Sequence, residues 1–160
     1  MTRLLPLAAV VAVAIGVGVF ALASGGGSTY SSASGRHAAG TTAVDVRSTP
    51  LGRILVDARG RSLYLFEADK PNQSNCSGAC LSAWPALTSD GMPAGGTGTV
   101  AAKLGTIAAA GGKRQVTYNG HPLYLYAGDQ KAGDTTGQGL DQFGAGWYVL
   151  SPAGDKIDRG

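Results

Sequence analysis

Residues 60–69, GRSLYLFEAD, return sixty positions later as residues 120–129, GHPLYLYAGD. Superposing Gly60 on Gly120 brings Leu63, Tyr64, Leu65 and Asp69 onto Leu123, Tyr124, Leu125 and Asp129, with Phe66 meeting Tyr126. Upstream, Leu55-Val56-Asp57 answers loosely to Val116-Thr117-Tyr118, and each copy is followed by one tryptophan, Trp84 or Trp147. Units this short cannot bury an apolar face alone, so like must pack on like. Within the repeated stretch Leu63 and Leu65 point one way and Tyr64 and Phe66 the other, a period-two pattern that predicts a strand covered on both faces. Asn119-Gly120 is a strong two-residue hairpin signal. The expected fold is therefore mainly β: two tandem antiparallel β-meander repeats packed about a pseudo-twofold, with one short helix near residues 81–84. The expected core is Ile54, Val56, Leu63, Leu65, Trp84, Leu104, Ile107, Val116, Leu123, Leu125, Trp147 and Val149.

The rest of the chain divides around this pair. Residues 1–23 hold an uncharged apolar run behind Arg3, which reads as a signal peptide ending in small residues or as a membrane anchor long enough to span a bilayer. Either would carry the remainder of the chain out of the cytoplasm. Residues 24–51 are rich in Gly, Ser, Ala and Thr, and are expected to form a flexible linker that cannot bury enough surface to order itself. The two-repeat β domain is placed at residues 52–151, repeat one at 52–99 and repeat two at 100–151, followed by a fraying tail at 152–160. Within the linker, His37 is read as a solvated side chain.

Composition narrows the function. Charged residues make up 14% of the chain, which carries 26 glycines, a mixture that suits turn-rich β structure better than a helical bundle. Net charge is +3 and no basic stripe occurs, so nucleic acid is excluded as a partner. No nucleophile elbow, phosphate loop or Ser/His/Asp set has the flanking structure such motifs need.

Three groups of residues could carry chemistry. Tyr64 and Asp69, and again Tyr124 and Asp129, share a spacing that spans about 17 Å on an extended strand, too far for contact within one repeat. Each Asp is expected past its strand end, accepting backbone N–H groups, and each Tyr to bury its ring and keep its hydroxyl at the boundary. A hydrolase reading would bring Asp69 and Asp129 together in one cleft. Cys76 and Cys80, four apart in an exported chain, predict a disulfide, with Ser77-Gly78 giving the backbone freedom to close it just ahead of the short helix. The rival for the same pair is a copper site completed by His121, since soft thiolates select Cu(I). Asp129, Asp134 and Asp141 lie among glycines, but their spacing matches no compact calcium loop.

With these residues in view, the chain resembles the bacterial family called secreted repeat of unknown function, tandem-repeat lipoproteins marked by a Y-x(F/W/Y)-x-x-D motif. Tyr64, Phe66 and Asp69 fit that pattern, as do Tyr124, Tyr126 and Asp129. The stretch from Cys76 through Cys80 to Trp84-Pro85 resembles the segment after the family's first repeat; Gln115-Val-Thr-Tyr118-Asn-Gly120 and Gly137-Gln-Gly139 resemble its second. The chain departs from the lipoprotein pattern in having no Cys before Cys76, hence no residue to lipidate near its start. The resemblance implies an extracytoplasmic place and no particular activity.

The resulting expectation is an exported, membrane-tethered binding or structural module of the cell envelope, non-enzymatic, with an unknown envelope component as partner and no cofactor. Its membrane contact would run through the N-terminal segment if that segment is not cleaved. The alternative is an extracytoplasmic copper-binding or thiol redox carrier using Cys76 and Cys80.

Overall fold

The computed structural model describes residues 42–159, and the expected signal or anchor at 1–23, the linker up to residue 41 and His37 lie outside that range. Within that range ten short strands, one α-helix and two short 3-10 turns follow in order. The first sheet joins β2 (Gly52–Asp57), β1 (Ala43–Thr49) and β5 (Ala94–Gly95); the second joins β3 (Tyr64–Phe66), β10 (Ala145–Val149) and β9 (Leu140–Gln142). A third joins β4 (Thr88–Ser89), β7 (Arg114–Tyr118) and β6 (Leu104–Ala108), with β8 (His121–Pro122) also on β7. The helix α1 spans Ala79–Ala83 and ends at Trp84, where Pro85 blocks continuation.

Three expectations need correction. The flexible linker does not reach residue 51, because Ala43–Thr49 is a strand paired along its length with β2, from Val44 opposite Asp57 to Thr49 opposite Gly52. Ala43 and Val44 are buried, and that apolar pair inside a Ser/Thr-rich stretch supplies what the composition seemed to lack. The repeats are not separate meanders either. Strand β3 of the first copy pairs with β10 of the second, Phe66 opposite Trp147 and Tyr64 opposite Val149. Strand β4 of the first copy pairs with β7 of the second. The tail is likewise folded: Ser151 N–H donates to Asp155 O, Ile157 N–H donates to Val149 O, and Leu150 pairs with Lys156.

The exchange of strands is reciprocal. Tyr64 and Tyr124 face each other antiparallel, each N–H donating to the other's carbonyl at 2.9 and 3.0 Å. On the far side of Tyr64 runs the segment holding Trp147; on the far side of Tyr124 runs the segment holding Trp84, with Ala86 opposite Tyr124 and Leu125 N–H donating to Pro85 O. Leu55 N–H donates to Leu150 O, and its counterpart Val116 N–H donates to Leu87 O. Each motif strand is thus flanked by the other copy's tryptophan segment.

The alternation in the motif sorts the interior into two clusters. Leu63, Leu65, Leu123 and Leu125 enter one with Val44, Leu55, Val116, Tyr118 and Leu150. Tyr64, Phe66 and Tyr124 enter the other with Ile54, Val56, Trp84, Trp147, Val149 and both cysteines. In the second cluster the two indoles stack at 3.9 Å between centroids and 6° between planes. Phe66 stacks on Trp147 at 4.2 Å and Tyr126 lies on Trp84 at 4.3 Å, giving a column of four rings. Tyr64 and Tyr124 meet Trp84 and Trp147 edge-on, both at 5.2 Å. Edge-on contacts of this kind are what ring quadrupoles favour. Both indole N–H groups donate to Gln142, one to its side chain and one to its carbonyl. Leu104 and Ile107, expected in the core, are only partly buried because β6 pairs with β7 alone at the edge of its sheet.

Candidate functional site

The motif's Tyr and Asp meet across the copies. Tyr64 Oη–H donates to Asp129 Oδ2 at 2.8 Å, and Tyr124 Oη–H donates to Asp69 Oδ2 at 2.7 Å. The other carboxylate oxygen serves the adjoining loop: Asp69 Oδ1 accepts Asn75 N–H at 2.6 Å, and Asp129 Oδ1 accepts Thr136 N–H and its hydroxyl at 2.9 and 2.6 Å. Because Tyr124 gives its proton to Asp69, Ser74 is the donor in the 2.7 Å contact between the two hydroxyls, and Ser74 Oγ in turn accepts Cys76 N–H at 3.3 Å. Among the described residues no buried side-chain nitrogen or oxygen lacks a partner.

Burial governs the protonation of these groups. Tyr64 is held far above its ordinary value of 10.0, first by desolvation and then by the bond to Asp129 and that carboxylate's charge. Tyr124 is also raised, again first by desolvation; the bond from Ser74 opposes this, while the bond to Asp69 adds to it. The Asp69 carboxyl is pushed up by desolvation against the opposing pull of Asn75, Tyr124 and the nearby His121.

At the end of each motif strand lies a cleft, and the two are lined by corresponding residues. The first, about 380 Å³, is lined by Leu65, Phe66, Glu67, Asp69 and His121, with Asp155 and Lys156 from the returning C-terminal segment. The second, about 170 Å³, is lined by Leu125, Tyr126, Ala127, Asp129, Arg61 and Ser62, with Pro85. Asp69 and Asp129 open into different clefts, so the paired-carboxylate hydrolase reading loses its shared site. In the second cleft Arg61 is already held by Asp57, its Nε 2.8 Å and its Nη2 2.7 Å from Oδ2. A third depression, about 450 Å³, adjoins it through Arg61 and Leu125 and carries Arg59, Asp57 and Thr88.

Cys76 and Cys80 form a disulfide with Cα atoms 5.4 Å apart. The sulfurs lie inside the aromatic cluster, their residues 6% and 5% exposed. His121 lines the first cleft. Among the described residues, no three His, Cys, Asp or Glu side chains gather as a metal site would require.

The family described as secreted repeat of unknown function matches the chain twice, over residues 45–88 and 105–151. The chain belongs to that family. The first secreted repeat therefore begins inside β1 and ends at β4, and the second runs from β6 to just past β10. Each matched span contains one Tyr, one Asp and one Trp of the reciprocal set. The description of the family as secreted places the domain outside the cytoplasm. No curated protein and no solved structure matches the chain. Among the described residues, no helix is long and apolar enough to cross a membrane.

Sequence reasoning could exclude contact between Tyr64 and its own Asp69 but held no signal that Asp129 was the partner. It also passed over Glu67, Asp155 and Lys156. Glu67 sits inside the motif where the second copy has Ala127, and that departure was the available clue.

Proposed function

We propose that this secreted pair of repeats is a non-enzymatic envelope binding module, tethered through its N-terminal segment and linker, that takes its ligand in the first cleft. One observation carries the reading. The duplication makes two matched clefts, and of the two only the first carries Glu67, Asp155 and Lys156 on its walls and has a volume within the usual range for ligand sites. The motif residues themselves are committed to joining the repeats, whose packing we read as a pseudo-twofold. Asp69, Asp129, Tyr64 and Tyr124 bond to one another, which favours binding over proton-transfer chemistry.

The alternative, a copper or thiol redox carrier working through Cys76 and Cys80, needs sulfurs that a metal or a partner thiol can reach. Their burial in the aromatic cluster speaks against it.

Site-specific photo-crosslinking in intact envelopes tests the proposal. A crosslinking residue in place of Asp155, on the first cleft, is expected to trap one reproducible envelope component. The same residue in place of Ala127, on the second, is expected to trap none. Equal yields at both places, or none at Asp155, would overturn it.

A further inference from the structure

At the wall of the first cleft an ammonium is already held, and it belongs to the chain itself. Lys156 Nζ lies 2.6 Å from Glu67 Oε1, 3.2 Å from Asp158 Oδ2 and 4.5 Å from the centroid of the Tyr148 ring. Two carboxylates and one aromatic face are the elements with which proteins hold an alkylammonium group. Glu67 and Lys156 both line the cleft, and Asp69 and Asp155 add two carboxylates beside them. The second cleft keeps Asp129, the counterpart of Asp69, but lacks the rest, since Ala127 stands where Glu67 does and no C-terminal segment lines it.

We infer that the cradle formed by Glu67, Asp158 and Tyr148 is a recognition site for the alkylammonium group of a ligand, of the kind a diamino-acid side chain carries, and that Lys156 occupies it in the free protein. The inference rests on the reading of the first cleft as the ligand site and names its chemistry.

The cradle is open to exchange. The side chains of Lys156, Glu67 and Asp158 are 40%, 37% and 52% exposed, so water and solute reach all three. Ion pairs this exposed hold weakly. Bonds from Glu67 and then Asp158 push the Lys156 ammonium up to about 12, so it stays charged across the physiological range. A competing ammonium has the same partners to gain and must displace a tethered one. Lys156 therefore acts as a built-in competitor that lowers apparent affinity by the fraction of time it is seated.

The test uses the full chain, with blocked lysine (Nα-acetyl-lysine methylamide) as probe and amide chemical shifts around Glu67, His121 and Tyr148 as readout. Lys156→Gln is expected to bind the probe about two- to fivefold more tightly than the natural chain. Adding Glu67→Gln to that variant should abolish binding, Lys156→Arg should behave as the natural chain does, and blocked norleucine, which lacks the ammonium, should not bind. Unchanged affinity in Lys156→Gln, binding that survives loss of Glu67, or equal binding of blocked norleucine would overturn the inference. If the Asp155 crosslinker traps a component while Lys156→Gln ignores the probe, this chemistry falls and the cleft stands as the site. If the crosslinker traps nothing while the probe binds as described, the cradle stands and the envelope partner falls.

Discussion

The hydroxyl of Tyr64 has a role that its place in the sequence does not announce. Removing it by Tyr64→Phe leaves Asp129 Oδ2 without its donor, and should destabilise the fold by about 1–3 kcal/mol in urea unfolding. Alkaline pH tests the same residues without mutation. Tyr64 and Tyr124 keep their protons in the folded state above the 10.0 at which the unfolded chain releases them. Their contribution is thus complete below pH 10 and is lost as pH rises beyond it, with a slope of up to about 1.4 kcal/mol per pH unit for each group. The Tyr64→Phe, Tyr124→Phe double variant should show a visibly shallower decline between pH 10 and 11.5. Matching slopes in the two proteins would refute the assignment. Asp69 acts with the same sign at the other end of the scale: its raised carboxyl favours the fold below 3.8, and that contribution fades as pH climbs through the folded value.

At the scale of elements, the turns show where sequence was readable and where it was not. Asn119-Gly120 is legible as a hairpin, and both residues take the positive φ, 52° and 83°, that such a turn demands. Phe143-Gly144, joining β9 to β10, takes the same geometry at 59° and 91°, yet no turn table nominates Phe. Its ring is half exposed and its backbone is in a region that disfavours side chains. Phe143→Asn should therefore stabilise the domain by about 1 kcal/mol in denaturant titration. The helix was legible because Pro85 stops it and Cys76 and Cys80 bracket its start. Replacing both cysteines by serine should cost about 2 kcal/mol, the chain-entropy value for so short a loop. Thiol counting on the unreduced natural protein should find no free thiol. Strand β1 was hidden because Val44 and Val46 are its only bulky apolar residues, and they lie in a run that otherwise reads as linker.

For the whole molecule, the duplication was visible and the way its halves join was not. Period-two alternation predicts strands and their two apolar faces, but the pairing of β3 with β10 and of β4 with β7 lies between residues far apart in the chain, and no local pattern encodes it. Tyr64 and Tyr124, expected to bury their rings and keep their hydroxyls at the boundary, are enclosed entirely, because each hydroxyl reaches the opposite copy's aspartate. The join has a direct physical test. A protease site inserted after the exposed Thr97, between the copies, should yield a nicked protein whose pieces elute together in native size exclusion and part only in denaturant. Pieces that separate without denaturant would contradict the exchanged strands.

The crossed tyrosine–aspartate bonds also bear on heredity. A change at position 64 is felt at 129, and one at 124 is felt at 69, so related chains should show correlated replacement between copies rather than inside them. A third copy added to such a chain would bring a phenol and an acid with nothing to answer them, and lineages that lengthen should do so two units at a time.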